Sequence, residues 1–194
     1  MKTIMATLIL YLFPSIDLSI MPCSMIDKIP FTIMRDFSTE LNYGIKVKNA
    51  VCLTKLDYKK LFEYEMIDSD TCYLFGKFKI NENRTGVYSL RNTYECDHRI
   101  ELVELLVIDN CKLVDSKKIL FQDNHIGVYE ISSEVNKDFS ELTIKETSSS
   151  EYATETGEMD TLFINTYTID LKSKSLDTIY KKSRIQVLTS PQKQ

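Results

Sequence analysis

The sequence predicts a mainly β protein: an antiparallel β-meander of about eight strands that forms a curved sheet or a partly closed barrel, with one helix N-terminal to it. Three observations carry this. From Cys72 onward, apolar and β-branched residues recur with period two. Short clusters of Asn, Asp, Lys and Ser, which favour turns, separate those runs. Convincing helical spacing occurs once, before the strands begin. Curvature or closure follows because a long flat meander would expose unpaired edges.

The chain of 194 residues, 43% hydrophobic and 27% charged, is long enough to bury one core unaided. Its 24 Lys and Arg against 28 Asp and Glu leave no basic surplus for phosphates, so nucleic acid is not an expected partner. Five Gly and four Pro are too few for a Gly-rich phosphate loop or a flexible interdomain linker.

At the N-terminus, "MKTIMATLILYLFPSIDLSIMPCSM" places Lys2 before an apolar run from Thr3 to Phe13 that ends at Pro14. This is the order and length of a signal peptide, assigned to residues 1–22, and the run is too short to span a bilayer. Cleavage between Ser15 and Ser24 is expected, although no Ala-x-Ala pattern marks the point. Cys23 invites a lipid anchor, but Pro22 stands where a small flexible residue is needed. The alternative is that residues 3–13 form a buried first strand or helix. Residues 23–194 are read as a single β-rich domain without a membrane span.

Thr54 can cap a helix with Asp57 three residues on, as in a capping box. Leu53, Leu61, Phe62 and Met66 supply an apolar side, which places the helix near residues 55–66. "CYLFGKFKI" and "VYSLRNTY" flank "NENRTG" and form a hairpin. Asn83-Arg84-Thr85 is formally a glycosylation triplet, but the residues are good turn formers and the turn is preferred.

"IELVELLVIDNCKLVDSKKILF", from Ile100 to Phe121, could be one helix or two strands. Asp109 and Asn110 decide for two strands, since a single helix would have to run through these turn residues. Glu104 then shares a face with Ile100, Leu102, Leu106 and Ile108. It is expected to face solvent at a sheet edge, the alternative being a buried carboxylate with a role. Asn136-Lys137-Asp138 makes a third hairpin turn. "INTYTIDLKSKSLDTIYKKS" is a fourth hairpin that echoes the second, at a spacing too long for a propeller repeat. "KETSSSEYATETGEMD" reads as a surface connection.

If Cys23 is lost or lipidated, Cys52, Cys72, Cys96 and Cys111 remain as candidate disulfide cysteines with three pairings open. The alternative is that most are buried thiols. No CxxC occurs. His98 and His125 are the only histidines, and neither can be given a nucleophile. Cys96 and His98 lack further metal ligands at sensible spacing. No catalytic, cofactor or metal-binding residue is assigned, and no cofactor is expected.

The leader, the "LDYKKLF" helix and the "YLFGKFKINENRTGVYSL" and "IELVELLVIDNCKLVDSKKILF" hairpins resemble small exported β-rich proteins of bacteria, functionally uncharacterised and some of them lipoproteins. The resemblance implies a periplasmic, envelope or secreted location and transfers no catalytic residue. By elimination the expected function is a non-catalytic exported binding or interaction protein, engaging another protein or an envelope component. The alternatives are a small-molecule carrier with a lipocalin-like barrel, or a hydrolase using His98 or His125.

Overall fold

The structure is a computed structural model that describes residues 21–32, 34–37, 49–62, 70–95, 98–123, 129–149, 160–173 and 175–188, with backbone alone at 93–95, 98–100, 122, 123, 160 and 188. Residues 1–20 of the signal-peptide assignment lie outside these residues, as do His125 and Cys96, whereas its last two residues, Met21 and Pro22, are described.

The elements run α1 (Cys23–Lys28), β1 (Asp36–Phe37), β2 (Val51–Cys52), α2 (Lys55–Phe62), β3 (Thr71–Lys79), β4 (Arg84–Glu95), β5 (His98–Asp109), β6 (Lys112–Asp123), β7 (Tyr129–Val135), β8 (Glu141–Ser149), β9 (Asp160–Asp170) and β10 (Thr178–Leu188). Strands β2 to β10 lie side by side in sequence order, all antiparallel, and β1 pairs with β7. The fold is therefore the expected meander. The sheet is not closed, and the two-residue strands β1 and β2 add to the eight long ones.

Local chemistry accounts for the turns. Between β5 and β6, Asn110 and Cys111 both adopt positive φ, 47° and 66°, the backbone that a two-residue hairpin of matching twist requires. Between β3 and β4, the Asn81 side-chain oxygen accepts from the backbone N–H groups of Asn83 (3.0 Å) and Arg84 (2.8 Å), so the triplet at Asn83 opens from a turn, as expected. Between β7 and β8, the Asn136 side-chain oxygen accepts from the N–H groups of Ser140 (2.9 Å) and Glu141 (3.1 Å). At α2, the Thr54 hydroxyl accepts from the Asp57 N–H at 3.1 Å and donates to its carboxylate at 2.7 Å, fixing the start that the capping pattern predicts. The described helix ends at Phe62; residues 63–66 of the expected span lie outside the described residues.

Period-two alternation gives the sheet two apolar faces, each with its own core. On the first, Phe75, Phe78, Tyr88, Leu105, Ile131 and Ile144 join buried residues from β1 to β9 in one cluster. The ends of the meander are drawn together there: Phe78 stacks on Phe139 at 4.7 Å, and buried Arg84 donates to the carbonyls of Leu171 (2.9 Å) and Ser173. Gly86 pairs with Phe78, whose ring lies so close that a Cβ at position 86 would run into it. On the second face, Cys72, Leu74, Val87, Leu106 and Ile108 are covered by Tyr58 and Leu61 of α2 and by Met21 and Ile29 flanking α1. Lys77 lies under α1 and donates to the carbonyls of Ile26 (2.6 Å) and Asp27 (3.2 Å), satisfying acceptors at the helix C-terminus.

Two sequence expectations are corrected here. Cys111 does not pair within the set Cys52, Cys72, Cys96 and Cys111; it is joined to Cys23, whose Cα lies 5.4 Å away and 88 residues earlier. Cys52 and Cys72 are free thiols. Although β2 and β3 are neighbours, Cys52 pairs across from Tyr73 while Cys72 shares the face of Leu74, so the two side chains leave opposite sides of the sheet. A bridge between them is geometrically barred. The second correction concerns Glu104, which is not at an edge. It lies on β5, between Ser89 of β4 and Lys118 of β6, and is only 7% exposed.

Candidate functional site

Among the described residues, two places hold chemistry that folding alone does not require. The first is around Glu104. Register sets it opposite Ser89, whose hydroxyl donates to the Glu104 carbonyl at 3.5 Å, and Oε2 of the carboxyl is buried with no hydrogen-bond partner. Burial raises the carboxyl above its ordinary value, while Arg91 and Lys118 pull it back. Arg91 also donates to the Tyr58 hydroxyl at 2.8 Å, which ties this polar patch to α2. Cys72 lies in the same patch, and burial, then Glu104, push its thiol up to about 12. It stays protonated at neutral pH and is a poor nucleophile.

The raised carboxyl has a definite consequence for stability. Because the folded state binds the Glu104 proton more tightly than the unfolded chain does, its contribution is fully present below the ordinary value of 4.5 and declines as pH rises from there through the folded value. Glu104→Gln keeps the shape and cannot ionise, so the variant should gain stability relative to the parent as pH rises. Urea midpoints for both proteins between pH 4 and 8 check this. Parallel curves would show that Glu104 carries no such penalty.

The second place is the end of the sheet formed by β7 to β10. Register aligns Tyr129, Ser148, Phe163 and Ile185 in one row across all four strands. Phe163 is 41% exposed, Ile185 68%, and Val187 beside it 50%. Of the nine exposed large hydrophobic residues described, six are Tyr129, Phe163, Ile179, Tyr180, Ile185 and Val187, so apolar exposure is concentrated here rather than scattered. The opposite face of β8 to β10 carries three cations at this end, and Glu130 of β7 lies in the row of Arg184. Lys145, Thr166 and Lys182 form one row, Thr147, Ile164 and Arg184 the next. Lys145, Ile164, Thr166, Lys182 and Arg184 line an open groove. Neighbouring Glu146 points to the other side, where its carboxylate accepts from the Tyr167 hydroxyl at 2.8 Å.

The residues singled out from sequence are not brought to this end. Cys52 and Cys72 lie at the β2–β3 side, and Cys23 and Cys111 at the β5–β6 turn. His98 opens β5, its side chain outside the described residues. Among the described residues, no group of three or more His, Cys, Asp and Glu could hold a metal ion, and no helix is long and apolar enough to cross a membrane. Compared with protein-family models, with curated proteins and with solved structures, the chain matches none.

Sequence reasoning missed the β7–β10 surface. Its signal was present in "TIYKKSRIQVL", where Lys182 and Arg184 share one parity and Ile185 and Val187 the other. The pattern is legible only once β10 is known to be the last strand of the sheet.

Proposed function

We propose that the protein is a non-catalytic exported binding protein that engages another protein or an envelope component through the β7–β10 end of its sheet. One observation carries this reading: the row Tyr129, Phe163, Ile185, with Val187 beside it, holds large apolar side chains in solvent on one face while the other face of β8 to β10 carries a basic groove. A surface both apolar and charged is what a partner of matching character can cover.

The Cys23–Cys111 disulfide supports export, since such bonds persist in oxidising compartments. Resemblance of the leader and hairpins to exported bacterial proteins points the same way. A disulfide-bonded Cys23 has no free sulfur for a lipid thioether, which counts against an anchor there. The carrier reading needs a closed wall around a cavity, whereas this sheet is open and Tyr88, Leu105, Leu106 and Leu120 fill its two faces. A thiol held protonated at Cys72 lends nothing to a hydrolase.

Photocrosslinking in intact producing cells tests the reading. A photoreactive residue at Ile185 should give a discrete higher-mass adduct in the envelope or culture fluid, and one at Leu56, equally exposed on α2, should not. No adduct at 185, or adducts at both positions alike, would remove the assignment of the surface.

A further inference from the structure

We infer that the partner adds a strand to β10: it presents an extended segment in which acidic and apolar side chains alternate, and that segment pairs along the open edge of the sheet. The inference rests on reading the β7–β10 end as the working surface and specifies what that surface takes.

Among the described residues β10 is hydrogen-bonded on one side only, to β9, over its length from Thr178 to Leu188. In an antiparallel strand successive residues direct their N–H and C=O groups to alternate sides, so a row of backbone donors and acceptors faces away from β9 over roughly 36 Å. The opposite flank of the sheet is protected. The outer side of β3 is covered by β2, with the Leu53 N–H on the Cys72 carbonyl at 2.9 Å. It is covered further along by Pro30 to Thr32, which exchange two hydrogen bonds with Lys77 at 2.9 and 3.0 Å. Among the described residues, only the β10 flank is left long and open.

Side chains on that flank define the complement. Lys182 and Arg184 stand on the groove face beside Lys145, and none of the three forms an ion pair among the described residues. Ile185 and Val187 stand on the other face beside Phe163 and Thr161, with Lys181 four residues before Ile185 on that face, opposite Tyr167. A strand laid against β10 places its own residues alternately over these two faces. Carboxylates at one parity meet Lys182 and Arg184, and aliphatic side chains at the other meet Ile185 and Val187.

A second copy of this chain is opposed by charge in the central registers. Two-fold antiparallel pairing of β10 with itself keeps each side chain on its own face. Centred on Lys182 it sets Lys182 against Lys182; centred on Ser183 it sets Lys182 against Arg184; centred on Arg184 it sets Arg184 against Arg184. Each of these three registers opposes like charges, which is destabilising for a cross-strand pair; registers shifted toward Leu188, which set Arg184 against Gln186, are read out as dimerisation. The same cations shield the edge from indiscriminate pairing and select an acidic strand.

The test uses the full chain and a synthetic ten-residue peptide of alternating Glu and Val carrying a fluorophore, with a Lys and Val peptide as its counterpart. Saturable binding of the Glu/Val peptide by anisotropy is expected, with new deuterium-exchange protection along 178–188. Charge reversal by Lys182→Glu with Arg184→Glu should weaken it on the order of tenfold or more and make the Lys/Val peptide the preferred ligand, a gain that also shows the variant is folded. Absence of saturable binding, equal binding of both peptides, or indifference to charge reversal overturns the inference. Concentration-dependent dimerisation that protects 178–188 without peptide does so too. Should the Ile185 crosslink form while the peptide fails, strand addition is wrong and the surface assignment stands; should both fail, both are wrong.

Discussion

Tyr88→Ala is expected to lower the stability of the domain by about 3–5 kcal/mol, and Tyr88→Phe by about 1 kcal/mol. Tyr88 is fully buried on β4, where its ring meets those of Phe37 at 5.1 Å, Phe78 at 5.2 Å and Phe75 at 5.7 Å. These three come from β1 and β3, so the ring binds the short N-terminal strand to the long hairpin. Its hydroxyl donates to the Met34 carbonyl at 2.6 Å, and burial holds the phenol above its ordinary value and therefore protonated as a donor. Truncation to Ala loses the ring's burial and leaves a cavity that β4, held in the middle of the sheet, cannot close. It also strands a carbonyl beside β1. Phe keeps the packing and loses only the hydrogen bond. Denaturant midpoints with unchanged slopes would measure both effects. Equal costs for the two variants would mean that the hydroxyl, and not the ring, is what holds β1 in place.

Much of this architecture was legible because it is local. The hairpin at Asp109 to Lys112 follows from Asn110, a residue that tolerates positive φ, set between two apolar runs. Asn81 and Asn136 organise their turns through their own side chains within five residues. Thr54 and Asp57 fix a helix start within a single turn. Each is a short-range hydrogen-bonding preference that a sequence displays directly.

What escaped was set by neighbours distant in the chain. Alternation states that Glu104 shares a face with Leu102 and Leu106, but whether that face is wet depends on α1 and α2, which lie at residues 23–28 and 55–62. Strand parity likewise reads Lys182 and Arg184 as one side and Ile185 and Val187 as the other, yet only the position of β10 at the end of the strand order leaves both sides in solvent. Periodicity fixes direction, and burial needs the order of the strands. The disulfide is the extreme case: nothing near Cys23 or Cys111 names its partner across 88 residues.

That bond leads to the other large expected effect. Cys23→Ser should destabilise the protein by about 4 kcal/mol, lowering the melting temperature by roughly 10–15 °C, because the bridge closes a loop of 88 residues whose freedom is returned to the unfolded chain. The folded state loses as well, since the bridge and the Met21 N–H on the Cys111 carbonyl at 3.0 Å together hold buried Met21 and α1 over the second core. Cys111→Gly removes the same bridge with a smaller net cost. Cys111 sits at φ 66°, where glycine pays no steric penalty, and Asn110-Gly is the preferred pair for this hairpin, so about 1 kcal/mol is recovered. Calorimetry on both variants reads the difference, and alkylation of the unfolded, unreduced parent should label Cys52 and Cys72 and spare Cys23 and Cys111. If Cys23→Ser melts with the parent, or if Cys23 alkylates without reductant, the tie between α1 and the β5–β6 turn contributes nothing to stability, and with it goes the disulfide's support for export.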